Sequence, residues 1–268
     1  MVKKILAILI SCLILAACQT DEGERMFEEA LELSNAGKHD EAIQNFIALT
    51  KAFPNHHLLD DSLFWIANIN EHYLDDPDQA IRFYRSLNKQ FENSEYRYQS
   101  MIGLARVYID QGDGGKRKAV RIYQRIKKIE LPAEEKQKNQ YQLAQLFLEL
   151  KEYEKARIEL KNLILDHEKS RFVSKAYHLI GSSYYLEGKK KLAEITFLET
   201  DRKFNHSRES LASAISLADI YEELDNLQSA IKVYDSIIKR LEITEVYYHL
   251  AKDRIERLKS RLKKTNTG

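Results

Sequence analysis

Gly181 to Phe197 reads GSSYYLEGKKKLAEITF, and a little upstream Lys151 to Leu160 reads KEYEKARIEL. Both stretches place an alanine (Ala193, Ala156) four residues before a large apolar side chain (Phe197, Leu160), one turn along the same helical face. The pair recurs as Ala42 with Phe46, Ala80 with Tyr84, Ala119 with Tyr123 and Ala230 with Tyr234. Successive alanines of this series stand 38, 39, 37, 37 and 37 residues apart. A second small residue keeps step upstream, at Ala30, Ala67, Ala105, Ala144, Gly181 and Ala218, with spacings of 37, 38, 39, 37 and 37. Two interleaved registers with one period define a repeat, in which each unit buries its apolar face only by stacking on the next. Two small residues per unit are what a pair of antiparallel helices needs to cross at close range. The sequence therefore predicts an all-α solenoid of about six helical hairpins.

The punctuation agrees. Asp76-Pro77 reads as a helix N-cap followed by proline at the first helical position, and Leu131-Pro132 is expected to open the fourth unit in the same way. Gly37, Gly112 and Gly188 fall in the predicted hairpin turns, and the residues that lengthen the third unit lie around Asp113-Gly114-Gly115. Helix-favouring Ala, Leu, Glu, Lys, Arg and Gln dominate, and no alternating β-branched run with Asn-Gly turns is present. A last amphipathic stretch, Thr244 to Lys263, sets Tyr247, Ala251, Ile255, Leu258 and Leu262 on one side. It is expected to cap the sixth unit, whose apolar face must be hidden. The predicted organisation is six repeats over 23–243, a capping helix over 244–264 and a disordered tail over 265–268.

From about Gly23 to Leu241 this pattern resembles the tetratricopeptide repeat, with units lengthened as in a periplasmic subgroup of that family. The family's proline after the second helix is kept only at Pro54. The resemblance implies that the fifth positions of the first helices face a partner-binding groove. Here those positions are Phe27, Phe64, Ile102, Tyr141, His178 and Ile215. One turn further on come Leu31, Asn68, Arg106, Gln145, Ser182 and Asp219. Aromatic and aliphatic groups backed by polar ones suit an extended or helical peptide. Phe27, Phe64, Asn68, Arg106, Tyr141, Gln145 and His178 are thus the candidate groove residues.

The chain opens MVKKILAILISCLILAAC. Two lysines precede an apolar run too short to span a bilayer, the layout of a secretory signal. The run ends Leu15-Ala16-Ala17-Cys18, which resembles the lipobox of bacterial lipoproteins and implies acylation at Cys18. Residues 19–22 then form a tether, and Gln19 after the cysteine implies outer-membrane sorting. With Cys12 lost in the signal and Cys18 acylated, no thiol remains for a disulfide or a cysteine-based metal site. Lipobox, short tether and periplasmic-type repeats together resemble the BamD family of the outer-membrane β-barrel assembly machine. The implied partners are the barrel-assembly subunit or unfolded outer-membrane proteins, and the implied place is the periplasmic face of the outer membrane. Two alternatives stay open. Leu63-Phe64-Trp65-Ile66-Ala67 resembles the repeat domain of the Tol-Pal-associated CpoB family, and pilotin lipoproteins, which assist secretin assembly, have six repeats.

No catalytic constellation is present, and no enzymatic activity, cofactor, metal, nucleic acid or small-molecule substrate is expected. Gly115-Lys116 lacks the first glycine and the Ser/Thr of a phosphate-binding loop. His56-His57 has no spaced third ligand, and Asp60-Asp61 and Asp75-Asp76 read as helix-start or loop acids. Charge is unevenly spread although the formal net charge is only +1. Gln19 to Ala80 carries 14 acidic and 3 basic side chains, Ile81 to Pro132 carries 5 and 12, and Val246 to the end carries 2 and 7. A basic cluster from Lys116 to Lys128 lies opposite the buried stripe of its helix, facing solvent, an acidic protein or lipid headgroups. Arg254, Arg257 and Arg261 of the capping helix form a candidate surface for a second partner.

Overall fold

The computed structural model describes residues 22–205, 207–240 and 244–265. Cys18, most of the 19–22 tether, residues 241–243 at the end of the predicted repeats and 266–268 of the tail lie outside the described residues. Among the described residues there are thirteen helices and no strand. The fold is all-α, as the periodicity predicts.

The chain divides into two units, Met1–Ile126 and Lys127–Gly268. The first holds three hairpins: α1 (residues 22–35) with α2 (His39–Ala52), α3 (Leu59–His72) with α4 (Pro77–Gln90), and α5 (Arg97–Ile109) with α6 (Gly112–Ile126). The second holds three more: α7 (Ala133–Glu149) with α8 (Tyr153–Asp166), α9 (Val173–Leu186) with α10 (Lys190–Lys203), and α11 (Arg208–Glu223) with α12 (Leu227–Ile238). It closes with α13 (Glu245–Thr265). Ala30, Ala67, Ala105, Ala144 and Ala218 of the first helices are completely buried, as are Ala42, Ala80, Ala119, Ala156, Ala193 and Ala230 of the second. At Gly181 the fit is tighter still, since a Cβ there would sit 2.5 Å from the Phe197 ring.

Each hairpin turn holds one residue with left-handed backbone: Gly37, Asp75, Gly112, Lys151, Gly188 and Asp225. In four of them the next amide donates to a carbonyl five residues back, as Glu152 N does to Phe147 O at 2.7 Å and Lys189 N to Tyr184 O at 2.8 Å, and in the Asp75 turn Asp76 N reaches six back to Asn70 O at 2.9 Å. This closes the first helix and aims the chain at the second. The third turn differs from the expectation. Asp113-Gly114-Gly115 does not lengthen the loop but forms the first turn of α6. A Cβ on Gly115 would lie 1.9 Å from the Tyr108 carbonyl oxygen, so glycine lets that turn abut the end of α5.

Asp76 caps α4 as expected, its carboxylate accepting from Gln79 N at 3.0 Å ahead of Pro77. Pro132 instead precedes α7 with extended backbone, and the helix begins at Ala133. α13 covers the last hairpin through Ala251, Ile255 and Leu258, which join Ala214, Ala218, Tyr234 and Ile237 in one cluster with Leu262 at its border. Tyr247, predicted for this face, is 39% exposed. It lies one turn before Ala251, beyond the packed part of the helix. No described helix is long and apolar enough to cross a membrane.

Candidate partner-binding surfaces

In the first unit the predicted groove residues gather around one buried tyrosine. Tyr84 of α4 is 1% exposed, and its hydroxyl donates to Glu71 Oε2 of α3 at 2.8 Å. Arg106 of α5 grips the same carboxylate with both arms, Nε on Oε1 and Nη2 on Oε2 at 2.9 Å, with His72 Nε2 at 3.1 Å from Nη2. Asn68 also hydrogen-bonds Tyr84. Burial, and then the Glu71 charge, push the Tyr84 hydroxyl well above the ordinary phenol range. The hydrogen bond to Glu71 raises Arg106 further. One turn before Asn68, the Phe64 ring stacks on Tyr96 at 4.5 Å and 24°. Three of the four predicted groove residues of this unit are therefore neighbours. Phe27 is not among them. It is 9% exposed and meets Phe46 edge-on at 5.3 Å inside the first hairpin's core. An apolar side chain on an end helix is drawn into the nearest core, and this one has no surface left for a partner.

Glu71 was not singled out by the sequence, although a signal existed. It stands four residues after Ala67, and Glu222 stands four after Ala218, in two of the three hairpins where a tyrosine (Tyr84, Tyr123, Tyr234) fills the buried large-residue position; in the third hairpin that first-helix position is Ile109. Tyr234 donates to Glu222 Oε1 at 3.1 Å, and Arg254 Nη1 reaches Oε2 at 3.3 Å. A tyrosine buried where other units carry Phe or Leu needs an acceptor for its hydroxyl, and the same position of the first helix supplies it twice.

That second triad corrects the reading of the capping helix. Arg254 is tied to Glu222 and Arg261 to Asp225 at 3.1 Å, both anchoring α13 to the last hairpin. Arg257 makes no ion pair among the described residues and is exposed. The three arginines thus do not form one free basic surface.

In the second unit Tyr141 is half-buried, its ring 5.6 Å from Phe172, and burial raises its hydroxyl. Gln145 is half-buried one turn on. His178 Nδ1 lies 2.9 Å from Ser213 Oγ, with the imidazole 5.6 Å from the Phe197 ring. Burial lowers its pKa despite the opposing charge of Glu209, which keeps the ring neutral near pH 7. Tyr141 and His178 each form part of their own inter-helix contact. No group of three or more metal-ligating side chains occurs among the described residues. His56 is buried, accepting from Leu58 N at Nδ1.

The tetratricopeptide repeat family matches the chain at residues 61–94 and 138–170, one stretch in each unit. With its repeat period, crossing alanines and hairpin order, the chain has the fold of a tetratricopeptide-repeat solenoid. No curated protein sequence matches it. Among solved structures it is similar to a tetratricopeptide repeat protein from Parabacteroides merdae, at 17% identity and TM-score 0.57, covering 91% of this chain and 92% of that one. It is similar to the Naa15/Naa10 structure bound to HypK-THB at 19% identity and TM-score 0.60, covering 92% of this chain but 35% of that one. MamA follows at 19% identity and TM-score 0.50, covering 72% and 95%. At these identities the likeness is one of fold. Such a scaffold is suited to protein–protein interaction.

Proposed function

We propose that this protein is a lipid-anchored scaffold on the periplasmic face of the outer membrane, holding envelope proteins for β-barrel assembly in the manner of the BamD family. The observation that carries the binding role is the surface of the second and third hairpins. There Tyr84 links the Phe64–Tyr96 stack, whose Phe64 ring lies 6.2 Å from its own, to an Arg106 that Glu71 holds in place while half of its side chain stays exposed. A half-buried aromatic pair and an immobilised guanidinium lose little freedom when a peptide docks. The Leu15-Ala16-Ala17-Cys18 sequence supports the anchor, and two or more acyl chains at Cys18 would make it stable. Six hairpins rather than the five of BamD-like proteins favour a second reading, a pilotin-type lipoprotein assisting secretin assembly.

The test is photo-crosslinking in cells from p-benzoylphenylalanine at Phe64, which keeps an aromatic ring in the stack, with a second probe at Tyr141. Capture of barrel-assembly subunits or unfolded outer-membrane proteins supports the first reading, and capture of a secretin supports the second. Palmitate labelling that persists in Cys18→Ala, or exclusive capture of cytoplasmic proteins, sinks both.

A further inference from the structure

Second helices of neighbouring hairpins leave a cleft between them, and the first unit has two of similar size. One, of about 730 Å³, runs between α2 and α4. The other, of about 640 Å³, lies one repeat on, between α4 and α6. The fold produces both, so neither volume alone signifies a ligand. Their linings differ in charge. The α2/α4 cleft sets Asp40 and Asp76 against Lys51 and Arg82, with Ile43 and Ile47 beside them. The α4/α6 cleft sets Arg85, Lys89, Lys118, Arg121 and Arg125 against Glu92 alone. All five cations are exposed, and none makes an ion pair among the described residues. Lys118 only lies over the Tyr108 ring, 4.8 Å from its centroid.

We infer that the α4/α6 cleft is a docking site for a carboxylate-rich segment of a partner protein, taken up in extended form. Like charges gathered in a cleft repel one another and focus a positive potential, an arrangement that favours an anionic occupant. Their layout selects a linear one. Arg85 and Lys89 stand one turn apart on one wall, and Arg121 and Arg125 one turn apart on the other, a spacing of about 6 Å along each helix. Side chains on one face of an extended strand repeat at about 6.7 Å, so acids at alternate positions can follow a wall. Arginine forks then take carboxylates with two parallel hydrogen bonds.

Nucleic acid has a similar phosphate spacing but wants a stacking surface, and the one aromatic in the lining, Tyr108, is 7% exposed beneath Lys118. A flat bilayer cannot enter a cleft. Asn88 also favours a polypeptide. Its Nδ2 donates to Tyr84 O at 2.8 Å and Ser100 Oγ at 2.7 Å, which leaves Oδ1 in the lining as a buried acceptor without a partner among the described residues. Such an oxygen repels phosphate and attracts a backbone N–H. This docking site is separate from the Phe64–Arg106 surface and independent of where the protein resides.

The experiment is fluorescence anisotropy of the purified chain with a short fluorescein-labelled peptide carrying glutamate at alternate positions. Expected is saturable, salt-sensitive binding that weakens roughly tenfold in Arg85→Glu/Arg121→Glu, since each reversed charge replaces attraction by repulsion. Lys51→Glu/Arg82→Glu, in the neighbouring cleft, should bind like the parent. Circular dichroism and melting verify both folds, and Arg85→Gln/Arg121→Gln serves as the milder pair if charge reversal unfolds the unit. The inference is overturned if the peptide does not bind, or if the two double variants weaken it equally. It is also overturned if a single-stranded oligothymidylate or phosphatidylglycerol vesicles bind more tightly through the same arginines.

Discussion

Replacing Lys151 with glycine should stabilise the second unit. Lys151 is the residue of the α7–α8 turn that adopts φ 60°, in a position where the equivalent turns carry glycine three times and aspartate twice. A left-handed conformation costs a residue with a long side chain about 1–2 kcal/mol, because Cβ crowds the following carbonyl oxygen. Glycine escapes that cost but gives the unfolded chain more freedom, worth about 0.5–1 kcal/mol in the other direction. The Lys151 side chain is exposed and makes no ion pair among the described residues, so nothing else is lost. The net expectation is a gain of about 0.5–1 kcal/mol, or about 2–3 °C in Tm for a unit of this size. Gly188→Lys one hairpin later provides the mirror image. Its added Cβ meets nothing within 4 Å, so its cost is purely one of backbone conformation and should be similar in size and opposite in sign. Urea titration read by circular dichroism measures both. Hydrogen exchange at the α7–α8 and α9–α10 turns locates the effect, since repeat arrays can unfold in parts. If Lys151→Gly were neutral or destabilising while Gly188→Lys cost its full amount, the left-handed turn at Lys151 would be refuted.

Ala144→Leu or Ala156→Leu should cost about 1–3 kcal/mol in a urea titration, because both alanines are fully buried where α7 and α8 cross. Arg254→Ala should loosen α13 by about 0.5–1 kcal/mol, measured as faster amide exchange along that helix, whereas Arg257→Ala should leave the exchange unchanged. His178 has a folded-state pKa below its ordinary 6.5. The unfolded chain therefore binds more protons, and the second unit should lose stability as pH falls from about 6.5, where that stability is fully present, through the lowered folded value. His178→Gln should flatten this part of the curve in melts taken across that range.

Helix positions were readable because two small residues return every 37 to 39 positions, and only close helix crossing demands that. The same periodicity carried over to the turns, but with one blind spot. Lysine at 151 looks like any solvent-exposed position until the equivalence with Gly188 assigns it a left-handed backbone. Phe27 followed the groove register by number yet is core, since register fixes which way a side chain starts out and not what packs over it. Arg254 and Arg261 read as free charge because their acceptors, Glu222 on α11 and Asp225 in the turn after it, lie more than thirty residues away. The basic cluster was visible only as a run on α6. Arg85 and Lys89, on α4, complete the cleft across a hairpin.

The arginines of this chain sort into two kinds, and the division shows where it can meet partners. Arg157 is closed upon Glu187 at 2.7 Å and lies over the Tyr184 ring at 4.4 Å, and Arg240 is closed upon Asp201 at 2.6 Å. Arg106 and Arg254 are closed upon carboxylates that also accept a hydrogen bond from a buried tyrosine. These pairs fix one helix against another, and removing one partner leaves a poorly solvated charge behind, so they are tied to the fold. Arg85, Arg121 and Arg125 have no such acceptor among the described residues, although thirteen carboxylates lie between Glu22 and Asp78 of the same unit. The fold keeps those acids away from the cleft, on α1 to α4, and with them the screening they would provide. A positive cleft beside an acidic hairpin pair discriminates between partners by sign as well as by shape. An acidic segment is attracted to the former and repelled by the latter, so its position along the repeats is set before any side chain docks.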